Sequence, residues 1–471
     1  MKRSLLGIVA ASALVVVGCG SDSKSSSDTT AAPAGTEAAA TTAAATTEAS
    51  ATSAGGASTS AASGGGTASN IQKPGECGMG TGQKATGEPI KLGAMATKSP
   101  QADFTWITSL TKAYFACVND NGGINGRPID YITYEEQTDP QQIAGFATKL
   151  VEQDKVLGIV GSTSLIECSV NKDYYAQQNM YLIIAGVAQD CFESPNFSAV
   201  NMGPYYSSLG GAQAAVRAGA KGKLVIVSVN APGFDIVNSG VVDYAKQEGL
   251  EGKSILEDVP FTDPAGLAQQ LVQEAGDGGA VVLDFTGPAV LPLLQAIEQQ
   301  GLIDKVVWAS STPPNDPSVA QAVGPAWDGK FLINAEFNVL DSGLPDQNHM
   351  NEIREQYASD IPNSSFAQMG YLAGRIATDA LMSIDGDITA ESVNEAFRGV
   401  KNFVSDIFCK PWYYESTVGQ NVSNNNDYTV APKGGNIVLM EDCFPIAELA
   451  GNPLADIRAK EVELDLNTAT T

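Results

Sequence analysis

The sequence predicts an α/β protein built as two similar lobes, each a doubly wound parallel sheet. Three observations carry this. Between residues 90 and 309, short runs of Val, Ile and Leu alternate with stretches whose apolar residues recur every three or four positions. That is the rhythm of parallel strands with helices on both faces. Next, one unit is written twice: TDPQQIAGFATKLVEQDKVLGIVGST from Thr138, and FTDPAGLAQQLVQEAGDGGAVVLDFTG from Phe261. Asp-Pro before a helix is common, but this match runs past the cap into the next strand and its Gly-containing loop, which points to two copies of a βαβ piece. Finally, several predicted strands end in Gly, Ser and Thr, the composition of loops beyond the carboxyl edge of a sheet.

The elements follow in order. A first strand over 90–95 ends in the loop Ala-Thr-Lys-Ser-Pro, and a helix over 104–120 places Phe104, Ile107, Leu110, Ala113, Tyr114 and Cys117 on one face. NGGINGRP is a turn, and 129–134 alternates as the second strand. Asp139 caps the next helix, Pro140 fits its first position, and Gln142 is expected to complete a capping box. Ile143, Phe146, Ala147, Leu150 and Val151 mark its buried face, and 156–160 is the third strand, with 161–164 as its loop. Helices are expected over 170–178, 206–218, 237–248 and 290–300, with another opening at Asp263-Pro264; strands over 181–185, 224–229, 254–259, 280–284 and 305–309. After Ala335 the rhythm changes: helices at 347–357, 367–384 and 390–399, then two late strands at 411–414 and 435–440 joined by the polar stretch 421–427. Residues 451–471 read as a loose tail.

The first 72 residues are not part of this fold. Lys2 and Arg3 precede an apolar stretch, residues 5–17, that is short for a membrane span and reads as a signal peptide. Val16-Val17-Gly18-Cys19 resembles the bacterial lipobox, so residues 1–19 are expected to be a lipoprotein signal with Cys19 carrying the lipid. A plain cleaved signal and a single-pass anchor are the alternatives. Residues 20–72 are chiefly Ser, Thr, Ala and Gly, and bury too little to offset ordering entropy. As a coil they would span roughly 40 Å. The expected location is the extracytoplasmic face of the cell membrane.

The totals exclude some functions. Of 471 residues, 43% are hydrophobic, and the net charge is −26. Such acidity argues against nucleic-acid binding and against docking on anionic lipid, and serves solubility. Beyond Cys19 there are six cysteines, an even number suited to an exported chain. They allow 15 pairings. We expect nearest neighbours: Cys77 with Cys117, Cys168 with Cys191, Cys409 with Cys443. No CxxC pair is present and His349 is the sole histidine, so a zinc site is not expected. A catalytic triad would need that one imidazole, which sits in the polar segment DQNHMNEI and reads as a surface residue. Ser109-Leu-Thr-Lys112 and Ser169-Val-Asn-Lys172 are degenerate matches without the companion motifs of penicillin-binding enzymes. No phosphate loop, dinucleotide fingerprint or calcium loop occurs. Neither enzyme chemistry nor a cofactor is expected.

A ligand would sit beyond the strand ends. The first lobe offers Ser99, Phe104, Trp106, Ser162, Thr163, Ser164, Gly186, Ala188 and Gln189 there; the second offers Asn230, Phe234, Asp235, Thr286, Ser310, Ser311 and Thr312. Any one of these hydroxyls is equally an ordinary helix cap. Together they suggest a cleft that closes around a small polar solute.

IKLGAMATKSP, NDNGGINGRPIDYITYEEQTDPQQ and KLVEQDKVLGIVGSTS resemble the first lobe of type I periplasmic binding proteins, nearest the leucine/isoleucine/valine-binding branch that serves ABC importers. The likeness runs from about residue 90 to 440. It implies two lobes joined by three hinge crossings, without catalysis. Lobe 1 would comprise 77–206 and 337–400, and lobe 2 would comprise 207–336 and 401–450. The carboxylate-gripping Ser of the family falls at or near Ser164 and its first-loop aromatic at Phe104. The next ligand-binding loop aligns with Gly186 and Ala188, where the usual Thr hydroxyl is gone. The family's second-lobe Tyr falls near Gly233-Phe234 and its acidic residue near Ser311, with Asp235 as a substitute. These departures put a branched-chain amino acid in doubt. With the lipobox, the resemblance leads us to expect a monomeric lipoprotein that captures a small polar solute (an amide, an amino acid or a different small metabolite) for a membrane permease. A regulatory lipoprotein of the same fold, binding a cell-wall synthase or sensor, is the alternative.

Overall fold

The strands fall into two sheets whose orders repeat. β1 (Ile90–Thr97), β2 (Ile129–Glu136), β3 (Gly158–Ser162), β4 (Leu182–Ile184) and β5 (Phe197–Ala199) form a parallel sheet in the order β2-β1-β3-β4-β5. β6 (Lys223–Val229), β7 (Glu251–Glu257), β8 (Ala280–Asp284), β9 (Val307–Ser310) and β10 (Phe331–Ala335) repeat that order as β7-β6-β8-β9-β10. β11 (Asn426–Lys433) and β12 (Asn436–Pro445) extend the second sheet antiparallel. The structure is a computed structural model and describes residues 71–99, 102–231, 233–414 and 419–466. The proposed signal, Cys19 and nearly all of the tether lie outside the described residues. No described helix is long and apolar enough to cross a membrane.

The duplicated unit occupies equivalent places in the two sheets. Helix Pro140–Thr148 follows edge strand β2 and leads into β3; helix Pro264–Ala275 follows edge strand β7 and leads into β8. Asp139 Oδ1 accepts from Gln141 N at 2.8 Å, and Asp263 Oδ1 from Gly266 N at 2.9 Å. The expected capping box is not made: Gln142 Oε1 instead accepts from Gln137 N at 3.2 Å. Central strands β3 and β8 are buried along their whole length, while edge strands β2 and β7 are only partly so, as expected of sheets covered on both faces. On the first sheet, helix Ser365–Met382 lies close against helix Thr105–Asp120. Gly370 makes this approach possible, since a Cβ there would stand 2.3 Å from the Ile107 carbonyl oxygen.

Several readings of the sequence need correction. Strands β5 and β10 were not expected. Residues 411–414 form no strand; they make a lone bridge, Phe403 to Trp412, and Trp412 Nε1 donates to Ala199 O at 2.8 Å. The strand that pairs with Asn436–Pro445 is Asn426–Lys433, and Asn421, Asn424 and Asn425 of the expected polar connection are buried and donate to backbone carbonyls. Phe403, Ile407, Phe408, Trp412 and Tyr414 pack in the core of the first lobe, so this stretch does not join the second lobe at residue 401. The expected loose tail holds a helix, Leu454–Glu463, with Leu454 and Ile457 buried and Glu461 paired with Lys410 at 2.6 Å. His349 is 6% exposed rather than solvated. Asp346, Gln347, His349, Met350 and Ile353 form the inward face of their helix, and polar composition concealed that spacing. The end of the proposed tether is also held: Ile71 N and Gln72 N donate to the Asp379 carboxylate at 2.9 and 2.8 Å.

Three disulfides join nearest neighbours: Cys77–Cys117, Cys168–Cys191 and Cys409–Cys443. His349 lies within 4.8 Å of the Cys77 and Cys117 sulfurs, but both are consumed in their disulfide and offer no thiolate to a metal.

The chain crosses between the lobes after β5, after β10 and before β11, and one side chain ties the three crossings. Asn424 Nδ2 lies 3.2 Å from Val200 O and 3.1 Å from Glu336 O.

Candidate functional site

A cleft of about 920 Å³, its solvent mouth included, opens between the carboxyl edges of the two sheets. Loops following strands of both lobes contribute to its lining. Phe104 comes after β1, Thr163 and Leu165 after β3, Gly186 and Val187 after β4, and Asn201 after β5. Across from them, Ala231 and Phe234 come after β6, Phe285 and Thr286 after β8, Pro313 after β9 and Glu336 after β10. Asp284, the last residue of β8, also lines it. This is where ligands bind in open α/β sheets.

Local structure fixes these side chains. Phe104 N donates to Thr97 O at 2.9 Å, and its ring meets Phe366 edge-on with centroids 5.8 Å apart. Thr163 is held by Thr163 N to Met95 O at 2.9 Å. Asn201 clamps Gly186 from both sides, accepting from its N–H at 2.7 Å and donating to its carbonyl at 2.8 Å. Gly203 turns the chain into helix Gly203–Arg217 with φ +78°, and a Cβ there would meet the Phe192 ring at 2.5 Å. In the second lobe, Phe285 packs edge-on against Phe261 with centroids 5.0 Å apart.

The structure brings together Phe104, Thr163, Gly186, Phe234 and Thr286 from the expected set. Ala188 and Gln189 line an adjoining hollow that shares Leu165, Val187 and Phe234 with the cleft. The remaining residues are engaged elsewhere. Ser99 closes a turn with Ala102, Trp106 packs on the core of the first lobe, and Asp235 lies exposed on helix Phe234–Gln247. Ser162 Oγ is within 3.0 Å of Met95 O and 2.5 Å of Glu167 Oε2. Ser164 Oγ donates to Glu136 Oε1 at 2.8 Å and accepts from Glu167 N at 3.1 Å. Ser311 Oγ donates to Asp284 Oδ1 at 2.6 Å, and Thr312 bonds to Ser207 and Asn334. These hydroxyls end buried strands, and the nearest unpaired backbone and carboxyl groups take them before a ligand does.

Sequence reasoning missed the two acids of the cleft. Burial raises Asp284 from its ordinary value to about 6 and Glu336 to about 8. Ser311 on Asp284, and the Met202 N–H on Glu336 Oε2 at 2.6 Å, pull back the other way. A signal was present: each acid closes a mostly apolar run, AVVLD and FLINAE. No acid stands next to Ser311 in sequence; in space its hydroxyl donates to Asp284 at 2.6 Å. The walls, by contrast, are mostly aromatic and aliphatic, with Ile107, Val229, Val259, Ala289, Phe366 and Met369 joining the rings above. Such walls suit a solute with an apolar body.

Residues 89–434 match the family model described as periplasmic binding protein. No curated protein is significantly similar in sequence. Among solved structures, the chain is similar to a fatty acid ABC transporter substrate-binding protein from Thermomonospora curvata, with 21% identity over 79% of this chain and 96% of that one, TM-score 0.66. It is similar to a branched chain amino acid ABC transporter protein from Thermus thermophilus with bound valine, with 17% identity over 77% and 98%, TM-score 0.66. A solute-binding protein from R. palustris in complex with benzoate shows 19% identity over 78% and 98%, TM-score 0.61. At these identities the likeness is one of fold.

Proposed function

The chain belongs to the periplasmic binding protein family, and on that footing we propose that it is the extracytoplasmic solute-binding component of an ABC-type importer, held to the membrane by a lipid on Cys19. The cleft takes up a small solute with an apolar body, the lobes close on it, and the closed form docks on the membrane permease as a monomer. Family membership makes it a binding protein rather than an enzyme.

The observation that supports this reading is the cleft lined from both lobes. A solute that touches Phe104 and Thr163 on one side and Phe234 and Thr286 on the other gains more contacts in the closed state than in an open one. Only such differential affinity shifts the equilibrium toward closure. The crossings tied by Asn424 are where rotation would be absorbed.

Thermal unfolding against a panel of small acids, amines, alcohols and amino acids tests the binding role. A solute at 100 times its dissociation constant adds about 2.7 kcal/mol. Stabilisation by one chemical class, lost in Phe234→Ala, is the expected result. No stabilisation by any solute, with recovery of a cell-wall synthase from membranes, would replace transport by regulation. The lipid claim is checked separately by the mass of the N-terminal fragment: Cys19→Ala should abolish lipid attachment.

A further inference from the structure

The hollow beside the cleft is no smaller than the cleft itself, at about 1040 Å³ with its mouth included. Leu165 and Val187 of the first lobe, Ala231 and Phe234 of the second, and Pro204 at the start of helix Gly203–Arg217 line both spaces, and all five are half-buried. Side chains that face two spaces, drawn from both lobes and from the helix after the first crossing, ring a neck between them. The hollow also has a fixed wall. Ser169 follows Cys168, and Asp190 and Phe192 flank Cys191, so the Cys168–Cys191 disulfide holds its first-lobe side together. The Lys172–Asp190 ion pair ties the same two helices, Glu167–Gln177 and Asp190–Glu193. Two glycines of the cleft seat the Phe192 ring: a Cβ at Gly186 would stand 2.9 Å from it, and one at Gly203 would stand 2.5 Å from it.

The lining of the hollow continues the chemistry of the cleft. Ile166, Phe192 and Met202 give it apolar surface from one side, and Val237 and Ile236 give it apolar surface from the second lobe. Ile236 is left 51% exposed. Asp190 is the only charged residue in its lining among the described residues, and Lys172 already neutralises it. No lysine, arginine or histidine lines either space among the described residues. Polar groups gather at Ser169 and Gln189, which are exposed and mark the rim toward solvent. A compact solute confined to the cleft would leave these apolar walls wet, whereas each methylene that entered them would gain about fourfold in affinity.

Resting on the solute-binding role proposed above, we infer that the solute is an elongated molecule with a hydrocarbon chain longer than the cleft alone can cover, whose tail passes Val187 and Phe234 into the hollow. The neck has walls on both lobes, so closure grips the chain from both sides. Ile236 and Ser169 line the hollow and not the cleft. They therefore set the chain length that the protein accepts without touching a solute confined to the cleft.

The test is calorimetry on the full-length protein, stripped of solute, with straight-chain primary alcohols from hexanol to decanol. The wild type should gain about fourfold in affinity per added methylene through decanol. Ile236→Trp fills the hollow from the second lobe: hexanol should bind within about twofold of the wild type, and decanol about tenfold or more weaker, because the added methylenes no longer find a place. Ser169→Trp, at an exposed helix position, fills the hollow from the first lobe and should give the same profile, so the test stands if one variant does not fold. Affinity that stops rising beyond hexanol in the wild type overturns the inference. So does a chain-length profile that both variants leave unchanged, or hexanol and decanol weakened equally. If no alcohol binds while an amino acid or an aromatic acid does, the long-chain inference falls and the solute-binding role stands. If no solute of any class binds, both fall.

Discussion

Glu336 sits where the chain crosses between lobes, and replacing it should change how stability depends on pH. Its carboxyl is 2% exposed, and burial raises it from an ordinary value of 4.5 to about 8. An acid whose native value exceeds its unfolded value holds its proton longer in the folded state. Its favourable contribution is therefore complete below pH 4.5 and is lost as pH rises through 8. At 1.36 kcal/mol per pH unit, the full loss is about 5 kcal/mol, with about 3 kcal/mol gone by pH 7. Glu336→Gln keeps a carbonyl to accept the Met202 N–H but cannot ionise. Urea unfolding of both proteins at pH 5, 7 and 9 should give nearly equal stabilities at pH 5. The variant should be favoured by about 3 kcal/mol at pH 7 and about 5 kcal/mol at pH 9. Asp427, raised by its own burial and further by Glu336, shifts in the same sense, so the substitution relieves both. A stability difference that stays constant across this range, or a wild type favoured at pH 9, would refute the reasoning.

Arg375 and Asp346 form a fully buried ion pair, with Asp379 and Asp406 also acting on the guanidinium. Arg375→Met strands those carboxylates and should cost about 3–5 kcal/mol in urea unfolding; a loss under 1 kcal/mol would mean water already reaches them. Cys168–Cys191 closes a loop of sequence separation 23 beside the cleft. Replacing both cysteines with alanine should lower stability by about 3 kcal/mol, and an unchanged unfolding midpoint would contradict the pairing. His349 is driven down to about 4 by burial, with its Nδ1 3.0 Å from the Tyr371 hydroxyl. The unfolded imidazole takes its proton near pH 6.5, so this group's contribution is lost as pH falls from 6.5 through 4. As the only histidine, it gives an unambiguous ring-proton signal in NMR, expected to titrate near 4; a midpoint near 6.5 would place it in solvent.

The central architecture could be read from the sequence because parallel strands buried on both faces are written as unbroken Val, Ile and Leu runs, and because Asp139 and Asp263 mark the same helix start twice. The short strand Phe197–Ala199 follows Pro195 and Asn196 and is too brief for periodicity to show. Asn424 and Asn425 have the composition of a turn, yet both are buried and bond to backbone and side-chain groups from distant parts of the chain, which local patterning does not reveal. At the cleft, strand ends were legible as positions but not as directions. Ser164 and Ser311 stand at the expected loops and turn toward Glu136 and Asp284 instead. Glycine and phenylalanine positions fared better, since Phe104, Phe234 and Gly186 have few polar partners to divert them.

Closure of the two lobes on a bound solute can be measured as a distance. Spin labels on cysteines introduced at Gln137 and Asp258, exposed positions just beyond the equivalent edge strands β2 and β7, report the separation of the two rims. The solute fraction released by denaturing the purified protein is added back to stripped protein. The account predicts a shorter and narrower distance distribution than in the stripped state; an unchanged distribution in the presence of bound solute would contradict it.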